Sequence, residues 1–274
     1  MTERLADIAA RIEGIQQLGA VVNAMKGIAA ARAQMARGEL GAVDSYARDI
    51  ALALAQMLGT KSAGQPAATG QTCVLMFTAE QGFAGAFSER LLDSLTPPPD
   101  ALFLIGTRGL SVAASRKITP DWHAAMPSHS AGIPKLADTI TKAIYHAVAL
   151  GRISQLDVVY TLWQAGRAVL SRQRLFPIDP VALPEPAGPL PLMQLPRAAL
   201  IDDLGQQYFH AQVCKAALHA FAAENEARMR AMTSAASQIA HELEGFQATL
   251  RRVRQEAITA EIIELGTGAS AKLT

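Results

Sequence analysis

The chain has 274 residues, 50% hydrophobic and 18% charged, which is enough for a sizeable core and one or two domains. Its 25 Lys and Arg nearly balance its 24 Asp and Glu, so composition leaves no electrostatic footprint for nucleic acid or an anionic membrane. Cys73 and Cys214 are the only cysteines, which excludes a disulfide framework and fits a reducing compartment.

The N-terminus carries Glu3, Asp7 and Glu13 and no long apolar run, so neither a secretory signal nor a clear transit peptide is expected. No window of about 18 apolar residues is free of charge or punctuation, so no membrane span is expected. Residues 3–58 repeat apolar side chains at steps of three and four. Leu5, Ile8, Ile12, Ile15, Leu18, Val22, Met25 and Ala29 begin the stripe, and Ala33, Ala36, Leu40, Val43, Ala47, Ile50 and Leu54 continue it. Gly14, Gly19, Gly27, Gly38 and Gly41 each weaken a helix by up to about 1 kcal/mol relative to Ala. The long pattern still predicts a helix. Small residues on it predict close approach by a second helix.

Gly59–Gln71 reads as a linker. The period then changes. Thr72–Thr78 and Ala101–Ile105 are short apolar runs and predict buried strands. A glycine-containing turn over Glu80–Phe87 leads to a short helix through Leu95. Thr107–Arg116 and Lys135–Leu150 predict helices, Trp122–Pro134 irregular chain, and Leu156–Leu162 and Ala168–Leu175 two strands joined around Gly166. Strands alternating with helices indicate a small α/β domain. A proline-rich stretch from Pro177 to Pro196 separates it from the last segment.

From Met232 onward the positions at alternating steps of four and three are Met232, Ala236, Ile239, Leu243, Phe246, Leu250, Val253, Ala257 and Ala260, all apolar. A 3.5-residue repeat is a coiled-coil seam. No Pro follows Pro196, so one helix of roughly 100 Å is expected. A shorter amphipathic helix on a globular core is the alternative. The fold class expected is α/β with a long coiled coil. The N- and C-terminal helices, residues 1–58 and 197–274, pair antiparallel, and a small α/β domain, residues 72–176, is inserted between them.

Chemical motifs are scarce. There is no phosphate-cradling GxxxxGK[ST], and no HExxH, CxxC or GxSxG. Gly82 and Gly85 fit a tight strand-to-helix turn. The six histidines show no ligand spacing and read as surface residues. Asp202 and Asp203 fit the positive end of the last helix. No catalytic residue, cofactor or metal site is expected.

Several stretches carry a family resemblance. Ala24-Met25-Lys26-Gly27-Ile28-Ala29-Ala30-Ala31-Arg32 resembles A-M-K-M-V-A-A-S-K of the gamma subunits of F-type ATP synthases. Arg254-Gln255-Glu256-Ala257-Ile258-Thr259-Ala260-Glu261-Ile262-Ile263-Glu264-Leu265 is similar to their R-Q-x-x-I-T-x-E-I-x-E-I. Glu224-Asn225-Glu226-Ala227-Arg228-Met229-Arg230-Ala231-Met232 resembles a third motif, and Gly268–Ala271 the small-residue tail. The family's D-R-G-L-C-G-G appears here as Glu80-Gln81-Gly82-Phe83-Ala84-Gly85-Ala86, and Leu190–Met193 replaces aromatics and an acid. The chain therefore looks like a divergent, bacterial-type member.

The resemblance implies a central rotary shaft that is itself non-catalytic. It would couple ion flow through a membrane ring to conformational change in a ring of alpha and beta subunits. Partners implied are alpha and beta, an epsilon subunit and the membrane c-ring, with no nucleic acid and no direct membrane insertion. The place implied is peripheral, on the cytoplasmic side of the bacterial inner membrane. Contacts to the alpha/beta ring are implied for Arg254, Gln255, Met25, Lys26, Arg252, Ile258, Thr259 and Glu261. Met25 and Lys26 are expected level with Arg254 on the facing helix. A small-residue tip over Gly266–Leu273 is expected to turn with few strong contacts to break. A soluble coiled-coil adaptor with an α/β domain is the alternative, and a nucleotide-dependent α/β enzyme would need residues the chain lacks.

Overall fold

The computed structural model describes residues 2–59, 70–185 and 192–271, with side chains for 5–59, 70–185 and 192–263. Most of the expected linker Gly59–Gln71, Leu190, Pro191 and the side chains of the expected tip lie outside these residues. Two long helices, α1 (Thr2–Leu58) and α5 (Arg197–Ala271), bracket the rest. Between them come β1 (Thr72–Phe77), α2 (Phe87–Asp93), β2 (Ala101–Ile105), α3 (Thr107–Ser115), β3 (Trp122–Ala124), a 3-10 turn, α4 (Ile133–Ala149), β4 (Gln155–Gln164) and β5 (Arg167–Phe176). Compactness divides the chain into Met1–Ile28 with Met229–Thr274, and Ala29–Arg228. Both divisions fall inside the long helices.

In the larger unit the sheet order is β3-β2-β1-β4-β5, parallel except for β5. Central parallel strands are covered on both faces and need apolar residues throughout. In β1, Cys73, Leu75 and Phe77 point to one face, against α4 and α5, and Val74 and Met76 to the other, against α2 and α3. In α4, Ile133, Leu136, Ala137, Ile140 and Ile144 are buried, one stripe at helical spacing. The β4–β5 hairpin turns through Ala165 (φ +46°) and Gly166 (φ +73°), the positive φ pair that a two-residue hairpin requires.

β3 departs from the sequence reading, which left Trp122–Pro134 irregular. It is three residues long, with Phe103 paired to Trp122, and the two rings stack at 5.4 Å. Such a strand is held by its neighbour and has too few residues to show a period of two.

In the smaller unit α1 and α5 run antiparallel. A Cβ added at Gly19 would lie 3.4 Å from Ile239 Cγ2, and the Arg11 guanidinium sits 5.2 Å over the Phe246 ring. Met232 and Val253 are buried. Ile239, Leu243, Phe246 and Leu250 are half-buried, whereas the charged residues from His241 through Glu256 are exposed. On α1 the stripe steps from Ile15 to Gly19 and Val22. Leu18, expected in the stripe, is 53% exposed. The steps of three and four from Leu5 land on Gly19, and the larger Leu18 is one residue out of phase. Of the five glycines expected to admit a second helix, only Gly19 faces one. At Gly14, Gly27, Gly38 and Gly41 an added Cβ would meet nothing within 4 Å. Close approach elsewhere rests on alanine: Ala29, Ala33, Ala36 and Ala47 are buried.

Candidate functional site: an outward helical face and a buried lock

Two sets of polar residues stand out. One is exposed on the paired helices, and the other is buried where α5 crosses the sheet. Each belongs to a different unit.

On the helical pair, Arg252, Arg254, Gln255, Ile258, Thr259 and Glu261 are all exposed, Ile258 by 57%. Arg254 follows the buried seam residue Val253 and points away from it. Arg252 reaches Glu256 at 3.8 Å, one helical turn on. Such an exposed pair contributes little to stability. Thr259 Oγ1 donates to the Gln255 carbonyl at 2.9 Å, inside its own helix. These side chains therefore satisfy no fold that the chain builds alone. Met25 and Lys26 are half-buried. The contacts of Gly19 with Ile239 and of Arg11 with Phe246 fix the antiparallel register, and it sets Met25 level with residues near Met232. That is about 30 Å along the axis from Arg254. The expectation that Met25 and Lys26 match Arg254 is corrected: the helices are antiparallel as expected, but their register sets the two motifs at different heights.

The buried set was not singled out chemically from sequence. From Tyr208 to Arg228 every residue of α5 is buried or half-buried. Glu224, Asn225, Glu226 and Arg228 are each at most 4% exposed. Arg228 donates through Nε to the Gly82 carbonyl at 3.0 Å, through Nη2 to the Gln81 carbonyl at 3.0 Å, and through Nη1 to Asn225 Oδ1 at 3.2 Å. Its Nη2 also binds Glu224 Oε1. Glu224 in turn accepts the backbone N–H groups of Glu80 and Gln81 at 3.1 and 3.2 Å. Asn225 Nδ2 donates to the Phe221 carbonyl at 2.8 Å. Glu226 Oε1 lies 2.6 Å from Arg37 Nη1 on α1, angled so that it makes an ion pair and no hydrogen bond. The turn after β1 is thereby gripped on both its donors and its acceptors.

Glu80 continues the lock through the sheet. Its carboxylate accepts the Thr107 and Met126 N–H groups at 3.0 and 2.8 Å and the Thr107 hydroxyl at 2.9 Å. Helix α3 has no side-chain cap of its own at Gly106, and Glu80 supplies one from a distant strand end. Helix α3 packs so closely on the end of β1 that a Cβ at Gly109 would lie 1.8 Å from Thr78 Oγ1.

Two histidines expected on the surface are half-buried and paired. His210 Nε2 lies 3.1 Å from Asp138 Oδ1 on α4, and His219 Nε2 3.3 Å from Asp44 Oδ1 on α1. Burial pushes the His219 pKa down, against the opposing pull of the Asp44 carboxylate. Lys215, 3.3 Å from the same carboxylate oxygen, adds to the lowering. A depressed folded pKa favours neutral imidazole in the fold. Its stabilising share is complete above the unfolded value of about 6.5 and is lost as pH falls from there through the folded value. The melting temperature of the free chain is therefore expected to drop on acidification through that window, and less so in His219→Gln. Equal pH slopes for the two proteins would contradict this.

Cys73 and Cys214 are buried free thiols, and burial pushes their pKa up to about 12 and about 11. Neither has the depressed pKa of a reactive thiolate. Asp202 and Asp203 are exposed and lie beyond the first turn of α5, which holds no acid, so the expected helix-end role is not theirs. No helix among the described residues is long and apolar enough to cross a membrane.

These features define a class: an antiparallel two-helix coil whose chain also carries a mixed α/β sheet, with an exposed polar face on the coil. Comparison narrows it. A family model described as ATP synthase matches residues 4–271. The ATP synthase gamma chain of Beutenbergia cavernae is 30% identical over 287 residues, covering 95% of each chain. That of Solibacter usitatus is 27% identical over 288 residues, covering 97% of this chain and 98% of the relative. A chain in the Euglena gracilis mitochondrial ATP synthase, solved as OSCP/F1/c-ring in rotational state 3, superposes with a TM-score of 0.74 at 15% identity. It covers 99% of this chain and 95% of its own. This chain belongs to the ATP synthase gamma chain family. Membership sets aside the adaptor reading.

Proposed function

We propose that the chain is the central rotary shaft of an F-type ATP synthase and is itself non-catalytic. The proposed setting is peripheral, on the cytoplasmic side of a bacterial inner membrane. The paired parts of α1 and α5 stand inside the alpha/beta ring, and the α/β segment, residues 72–176, meets epsilon and the c-ring. The observation that carries this reading is the face of α5 at Arg252, Arg254, Gln255, Ile258, Thr259 and Glu261. It is exposed while the seam beside it is closed.

The mechanism follows from differential contact. A two-helix shaft is not threefold symmetric, so each orientation presents a different face to each catalytic site. An orientation shifts a beta subunit only as far as it binds one beta conformation better than another. Arg254 can grip a carboxylate with two parallel hydrogen bonds, and Gln255 can add a neutral one. Met25 and Lys26 form a second belt of contact, level with Met232.

Arg254→Ala is expected to leave the melting of the free chain unchanged within about 0.5 kcal/mol, as for other surface changes. Reconstituted with alpha and beta, it is expected to lower complex yield or ATP turnover by about one to two orders of magnitude. Arg251→Ala, also exposed but outside the set, is the control. Wild-type behaviour of Arg254→Ala in the complex would remove Arg254 from the coupling face. Failure of the wild-type chain to copurify with alpha and beta would overturn the shaft reading itself.

A further inference from the structure

We propose that the free edge of β5 receives an extended strand from a partner, and that this strand presents carboxylates toward Arg172 and Arg174. The inference extends the shaft reading, since a subunit has neighbours to supply a strand, but its test does not require that reading.

β5 ends the sheet. It pairs with β4 along ten residues, and among the described residues it makes no backbone bond to anything else. Alternate N–H and C=O groups from Arg167 to Phe176 therefore face outward. An edge of this kind is a template for strand addition, and folded proteins blunt it with short strands, prolines, bulges or outward charges. β5 is twice as long as β2, holds no proline, and its only irregularity is at its far end, opposite Leu156 and Asp157.

Its arginines do not guard the edge either. Arg172 donates to Asp157 through Nε at 2.9 Å and Nη2 at 2.8 Å, and Arg174 binds the other oxygen of the same carboxylate. Both guanidinium groups are drawn back over β4. Two cations share one buried anion, and both remain partly exposed. A second carboxylate beside them would balance the charge. β5 contains three arginines and no acid.

Between the arginines, Ala168–Ser171 is uncharged, with Val169 41% and Leu170 44% exposed. On the α2 side a groove of about 330 Å³ opens between Phe87, Arg90 and Leu91 of α2 and Thr161, Ala168 and Leu170 of the hairpin. Ala168, Leu170, Arg172 and Arg174 share one face of β5, so a strand laid along it would send every second side chain toward the groove and the arginines together. Main-chain bonds would supply affinity, and the alternating side chains selectivity. The matching sequence carries acidic residues on that face, toward Arg172 and Arg174, and apolar residues on the other, toward Val169.

The experiment follows amide exchange in Arg167–Phe176 of the full chain by mass spectrometry. The probes are a ten-residue peptide alternating Val and Glu, and its Val and Lys counterpart. The Glu peptide is expected to slow exchange there by at least about tenfold, an effect that weakens with salt. The Lys peptide is expected to do nothing, and Leu170→Glu to abolish the protection. Absence of protection, equal protection by both peptides, or undiminished binding to Leu170→Glu would each overturn the proposal. In a complex rebuilt with alpha, beta and epsilon, the same amides are expected to be protected. If they exchange as in the free chain while the complex is active, the strand inference fails and the shaft reading stands.

Discussion

Arg228→Ala is expected to cost the larger unit about 3–5 kcal/mol, the range for removing one partner of a buried ion pair. The loss has several parts. Glu224 keeps its two backbone N–H donors but loses its cation. The carbonyls of Gln81 and Gly82 and the amide oxygen of Asn225 lose theirs. Water has little room, because the pair is only 5% and 3% exposed. Lysine restores the charge without the fork, so Arg228→Lys should recover only part of the loss. The double change Glu224→Gln with Arg228→Met should cost less than the two single changes added together, since neither charge is then stranded. Urea denaturation of the full chain measures all five variants. A drop below about 1 kcal/mol for Arg228→Ala would mean that the turn after β1 holds without the lock.

Val253→Asp carries the second large effect. Val253 is 2% exposed and lies in the smaller unit, which among the described residues consists of parts of α1 and α5 only. The change removes a buried apolar group and leaves a carboxylate with no partner, a cost of several kcal/mol. Two paired helices have little else to draw on, so α1 and α5 are expected to separate near their free ends. Far-UV circular dichroism should show lost helix and an earlier melt. Leu243→Asp should act in the same direction but less, since Leu243 is half-buried. Arg251→Ala, two residues from Val253 but facing solvent, should not. Unchanged helicity in Val253→Asp would mean that the seam does not hold the helices together.

The legible parts of the fold were those with a period. The stripe of α5 and the strands β1 and β2 could be read because each repeats a demand, one every three or four residues or at every residue of a buried strand. Leu18 shows the limit. By hydropathy it outranks Gly19, but phase decides which residue faces the partner, and only the whole stripe shows the phase. β3 was invisible because three residues cannot display a repeat. The lock was missed for another reason. Charged residues on a helix read as a solvated face, and Glu224, Glu226 and Arg228 have the spacing of one. The missed signal lay in their surroundings: from Tyr208 to Arg228 apolar residues occur on all sides of α5, so charges inside that run had to be paired. The height of Met25 relative to Arg254 needed contacts between two segments that sequence alone does not align.

The burial of α5 also bears on how such a chain changes over time. From Tyr208 to Arg228 every position answers to a packed neighbour, so a substitution there needs compensation elsewhere. Beyond Met229 the seam claims about two positions in seven, and exposed positions such as Arg254, Gln255 and Ile258 lie outside it. Drift can run through those outward sites without harming the hairpin. The chain shares its fold, at 15% identity, with a chain of a mitochondrial ATP synthase. The same freedom lets the outward sites be rewritten to suit whichever ring surrounds them, one residue at a time.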